Sequence, residues 1–115
     1  MYKQIVQFNL SKMGKQQGWC LQNVRMGFGT KAHYPSARAD MLAQRKAGTL
    51  HAIDSVPSNC SVPVYCDTTS PYDHVLISHK GIIYNDGLKL CPTPLLTRYY
   101  KVYGWGVTVH RHATI

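Results

Sequence analysis

The chain has 115 residues, enough for one hydrophobic core and too few for a catalytic module joined to a separate targeting module. Thirteen Lys and Arg against five Asp and Glu leave a formal charge of +8, which points to a polyanionic partner such as nucleic acid or an anionic polymer. No apolar run is long enough to cross a bilayer, and the first ten residues alternate in polarity instead of forming the apolar core of a signal peptide, so the expectation is a product made in the cytoplasm.

Residues 1–17 read as an N-terminal arm, with Tyr2 to Leu10 an ordered arm or a short strand and a loop from Ser11 to Gly18. From Cys20 onward, Leu21, Val24 and Phe28 recur at the spacing of one helical face. A first helix is therefore predicted from about Trp19 to Met26, stopping at Gly27 and Gly29. Ser36 can cap a second helix built from Ala37, Met41, Leu42 and Ala43, with Arg45 and Lys46 in its last turn and Gly48 after it. Thr49 to Asn59 reads as irregular. The period then changes to that of strands, over Val62–Cys66, Val75–Ser78, Ile82–Tyr84 and Trp105–His110. Pro63 removes a ladder donor and argues for an edge or a strand start, and the prolines at 92 and 94 make Leu88 to Tyr100 a loop. A helical part (18–48) followed by a sheet part (60–112) describes one α+β domain, with the N-terminal helices packed on one face of an antiparallel sheet of about four to six strands.

The chemistry is expected at Gly18-Trp19-Cys20-Leu21-Gln22-Asn23-Val24, where a loop turns into a helix. Unpaired backbone N–H groups and the positive end of the helix dipole favour a thiolate over a thiol there. His74 opens the apolar run Val75-Leu76-Ile77, and a base at the end of a rigid strand can be held within reach of a thiol. Asn85 and Asp86 end the next strand, one hairpin away if His79-Lys80-Gly81 is the turn, and either could orient the imidazole. Residue type favours Asp86, whose carboxylate would also stabilise an imidazolium. Asp73 is a second acid beside His74, able to raise its pKa. A lone helical cysteine is also commonly an inert core residue, so spacing alone does not decide the matter.

The order of these features resembles a CHAP domain, the cysteine- and histidine-dependent amidohydrolase/peptidase of phage lysins and bacterial wall hydrolases, related to NlpC-like and papain-like peptidases. The resembling segments are Gly18 to Val24, Tyr34-Pro35-Ser36-Ala37, Val62-Pro63-Val64-Tyr65 followed by His74-Val75-Leu76-Ile77, and Tyr103-Gly104-Trp105-Gly106. The motifs are short and degenerate, and His74 follows Asp73 where the family often has glycine. The resemblance implies a papain-like fold, Cys20 as nucleophile, His74 as base, and Asn85 or Asp86 as its orienting group. It also implies Trp19, Asp73 and Trp105 as substrate-binding residues and neither metal nor other cofactor. The implied activity is a peptidoglycan hydrolase of the endolysin or virion-associated type, made in the host cytoplasm and acting at the wall after release or delivery. A partner chain could supply targeting, and the +8 charge would suit anionic wall polymers.

Two other classes compete with this reading. A non-catalytic basic protein could bind nucleic acid or wall polymer through its charge and eight tyrosines. A zinc site could draw on Cys60, Cys66, Cys91, His110 and His112, although no C-x-x-C pair is present. Without a secretory signal the four cysteines are expected as free thiols, and a Cys60–Cys66 bridge would require release into an oxidising setting.

Overall fold

The computed structural model describes residues 2–115. Residues 2–9 form no strand; the arm lies across the C-terminal end of the chain, where Ile5 and Val6 both donate to the Thr114 carbonyl, and Leu10–Lys12 make a single 3-10 turn. Helix α1 spans Cys20–Phe28 and runs through Gly27, whose missing Cβ leaves room for the Phe8 ring. It ends at Gly29 in the left-handed conformation. Helix α2 spans Ala37–Ala47, starts where the Ser36 hydroxyl accepts from the Ala39 amide at 3.2 Å, and stops at Gly48.

The strands are β1 (Leu50–His51), β2 (Ser61–Asp67), β3 (His74–His79), β4 (Ile82–Asn85), β5 (Leu88–Pro92), β6 (Lys101–Gly106), β7 (Thr108–Val109) and β8 (His112–Ala113). The first six form one sheet in the order β1-β6-β2-β3-β4-β5, with every neighbouring pair antiparallel, and β7 and β8 form a separate hairpin. The fold is α+β.

Side chains alternate across the sheet and divide the core in two. Tyr65, Val75 and Ile77 face Leu21, Val24, Phe28 and Met41 of the two helices. Val62, Val64, Cys66, Leu76, Ile83 and Trp105 point to the other face, which Leu96 and the loops around it cover. Burying each such aliphatic side chain contributes about 1.5–3 kcal/mol. Gln44 ties α2 to the sheet: its Nε2 donates to the Tyr65 hydroxyl at 2.8 Å and its Oε1 accepts from the Thr108 amide at 3.2 Å.

Four expectations from the sequence are corrected here. Residues 88–92 form strand β5, since a proline costs little on an edge strand and Pro92 is the last residue of this one. Leu50–His51 pair with Trp105 and Gly106 within a segment read as irregular. The strand expected over Trp105–His110 is divided between β6 and β7, and His110 and Arg111, both at positive φ, turn β7 back into β8. Pro63 lies in an interior strand, not at an edge, as the third residue of β2 and one position before Val64, the first residue of β2 paired with β6.

Candidate active site

Gly18, at φ +85°, makes the turn that a side chain would strain, and Cys20 follows as the first residue of α1. Trp19 supplies no side-chain cap to the first-turn amides of the helix. A cleft of about 760 Å³ lies over this end of the helix, lined by Trp19, Cys20, Tyr34, Asp73, His74 and His110 among others.

His74 begins β3, where the sheet holds its backbone against Cys66 of β2. Its Nε2 is 2.8 Å from Asn85 Oδ1. A carboxamide oxygen only accepts, so Nε2 carries the proton and Nδ1 is the nitrogen left for the thiol. The Asn85 amide is itself fixed, with Nδ2 donating to the Tyr100 hydroxyl at 3.4 Å, and the Tyr100 ring stacks on the imidazole at a centroid separation of 5.8 Å. Burial works against a charged imidazole here. The Cys20 thiol, the Asn85 hydrogen bond and the Asp86 charge outweigh it, so the His74 pKa is raised above its ordinary 6.5.

Of the two residues left open as the orienting group, Asn85 is the one bonded to His74. Asp86 sits in the β4–β5 turn with Gly87, both at positive φ, in the Asp-Gly arrangement that tight hairpins favour. Its carboxylate accepts from Asn23 Nδ2 at 2.8 Å. Asn23 is buried on α1 and also donates to the Gln16 carbonyl at 2.9 Å, so one amide ties the cysteine helix to both the preceding loop and the histidine hairpin. Asp86 thus positions α1 against the hairpin and acts on His74 only through its charge.

This arrangement sets a pH dependence. The folded protein binds the His74 proton more tightly than the unfolded chain, so this contribution to stability is full below pH 6.5 and disappears as pH rises through the higher folded value. Activity that needs the imidazolium should have its basic limb above pH 6.5. Asn85→Ala is expected to lower kcat about 100-fold and to move that limb toward lower pH, and Asp86→Asn to move it less. Initial rates between pH 5 and 10 provide the check, and equal displacement by both variants would contradict the assignment of Asn85.

The remaining expected site residues divide. Trp19 is half exposed and lines the cleft. Asp73 reaches the same cleft, but its carboxylate is held by Arg38 Nη1 at 3.0 Å and the Thr68 amide at 3.3 Å; it braces the β2–β3 loop, and the acid that raises the His74 pKa is Asp86. Trp105 is not a substrate-binding residue. It pairs with Val64, points to the sheet face away from the helices, is fully buried, and donates its Nε1–H to Ser55 Oγ at 3.0 Å.

Cys60, Cys66 and Cys91 are buried free thiols. Burial, with smaller contributions from Asp73 and Cys20, pushes the Cys66 thiol up to about 12, so it is inert as a nucleophile. Among the described residues no three His, Cys, Asp or Glu side chains converge to hold a metal ion. Asn23 and Tyr100 were missed by the sequence reading. For Asn23 a signal existed, since an asparagine inside a short helix needs a partner for its amide.

No protein-family model, curated protein or solved structure matches the chain.

Proposed function

We propose that this chain is a cysteine amidase or endopeptidase that cuts an amide bond of peptidoglycan. The observation that carries the reading is that Cys20 and His74 line one cleft, with the thiol at a helix N-terminus and the imidazole fixed by the accepting amide oxygen of Asn85. The Cys20 sulfur would attack the amide carbon, forming a C–S bond and an oxyanion that the Cys20 backbone N–H can stabilise. Collapse breaks the C–N bond as the His74 imidazolium gives its proton to the departing amine, leaving a thioester. Water then attacks the thioester, His74 takes its proton, and a carboxylic acid and the free thiol are released. The substrate class comes from the resemblance to CHAP domains in the motifs around Cys20 and His74, together with the exposed aromatic Trp19 at the cleft.

The test is digestion of purified Gram-positive walls by the intact protein, following turbidity, new amine termini and new reducing sugar ends. Clearance with new amines and no new reducing ends is expected. New reducing ends in place of amines would contradict the reading.

The +8 charge has a place in the same account as a tether to anionic wall polymers. Clearance of whole walls is expected to weaken as salt rises from about 0.05 to about 0.5 M, while cleavage of a small soluble muropeptide changes little. Equal salt sensitivity of the two substrates would argue against the tether.

A further inference from the structure

A second imidazole lines the cleft, and its geometry is more constrained than that of His74. His110 is 2 % exposed and is the first residue of the two-residue turn between β7 and β8, with φ +48° followed by Arg111 at φ +61°. Both central positions of such a turn need positive φ and favour Asn-Gly, so histidine is a costly occupant. Its backbone is pinned by a hydrogen bond from its N–H to Asp40 Oδ2 at 3.0 Å, and Asp40 is itself fully buried on α2. The ring is pinned too. The backbone amides of His33 and Tyr34 both donate to His110 Nδ1, at 2.7 and 2.8 Å, and the Tyr34 ring stacks on the imidazole at 6.2 Å.

Two amide donors on Nδ1 leave only one tautomer, the one with its proton on Nε2. Burial first, and then the charges of Arg25, His112 and His33, lower the His110 pKa to about 4, so the ring stays neutral at working pH. Nε2 has no protein partner. It is not sealed off either, because the one buried, unpartnered side-chain polar atom among the described residues is Thr30 Oγ1. With Cys20, Tyr34 and His110 lining the same cleft, the Nε2–H is a fixed, uncharged donor available to whatever the cleft holds.

We infer that His110 is a substrate-binding residue whose Nε2–H donates to a carbonyl oxygen of the muramyl peptide beside the scissile amide. This rests on the amide-cleaving reading above. A donor with no accepting capacity needs an oxygen acceptor, which a peptide carbonyl supplies and an ammonium group does not. The two amides on Nδ1 fix the ring before substrate arrives, so little orientational freedom is lost on binding.

The test is steady-state cleavage of a soluble muropeptide by wild type and His110→Asn, with thermal unfolding of both. Asparagine accommodates the left-handed turn and keeps the backbone N–H to Asp40, but places no ring donor in the cleft. The expected result is a KM raised about three- to tenfold with kcat within about twofold, and the same penalty absent for substrates truncated on the side His110 contacts. Nitrogen-15 spectra of the wild-type ring should show an unprotonated Nδ1 and a protonated Nε2 at pH 7, with Nε2 shifting when the muropeptide binds Cys20→Ala protein. Wild-type cleavage with an unchanged KM in a folded His110→Asn, or an Nε2 signal unmoved by bound ligand, overturns the inference and leaves the hydrolase reading intact. Failure of wild type to cleave or bind any muropeptide overturns both.

Discussion

Replacing Cys20 with alanine should abolish muropeptide cleavage, lowering kcat/KM by at least about 10,000-fold, while the protein remains as stable as wild type. The two halves of this expectation have separate causes. Cys20 is only partly buried at the start of a helix, and its sulfur makes no hydrogen bond on which the core depends, so little packing is lost. The chemistry loses the one atom that can bond to the amide carbon. His74→Ala should be nearly as damaging, because it removes both the acceptor of the thiol proton and the donor to the leaving amine. The double variant should fall no further than the worse single one, since the residues act as a unit. Rates on one defined muropeptide with melting curves of all three variants provide the check. A Cys20→Ala protein retaining more than about a hundredth of wild-type activity would assign the reaction to another group.

Gly104→Ala is expected to do the reverse, destabilising the fold without touching the chemistry. Gly104 lies opposite Tyr65 where β6 bulges against β2, at φ +152°, and a Cβ there would run into the backbone carbonyl oxygen of His51 in β1. The obstacle is backbone held by strand pairing, not the end of a flexible side chain, so relief requires parting β1 from β6. The cost should be about 2–4 kcal/mol. For a domain of this size that is a fall in Tm of more than about 8 °C. Cys20, His74 and Asn85 sit on α1, β3 and β4, so kcat measured well below the lowered Tm should stay near wild type. An unchanged Tm would contradict the packing described for the β1–β6 edge.

These two sites also mark what the amino-acid sequence makes legible. The start of α1 at Cys20 is readable because Leu21, Val24 and Phe28 share one helical face, and those residues do face the sheet. Ser36 and Gly48 bracket α2 as their chemistry requires. The β3–β4 hairpin that carries His74 to Asn85 follows from two short apolar runs joined at Lys80-Gly81, both at positive φ. What stays hidden depends on direction or on distant partners. Trp105 looks like a cleft aromatic in sequence, and only the register with Val64 sends it to the far face. Residue type favoured Asp86, but turn geometry and Asn23 draw its carboxylate to α1 and leave His74 to Asn85. Strand β5 is hidden by Pro92, which the end of an edge strand tolerates, and by Pro94 in the helical turn that follows it. His110 carried only the weak suggestion of a metal ligand, because its constraint comes from amides 76 and 77 residues away.

Activation of Cys20 by His74 can be read from the alkylation rate of the thiol. Wild type and His74→Ala would be treated with limiting iodoacetamide at pH 6, and the modified thiols located by peptide mapping. Cys20 should be modified before Cys60, Cys66 and Cys91, and its rate should fall at least tenfold in His74→Ala while the buried thiols are unaffected. Equal rates at Cys20 in the two proteins would contradict that activation.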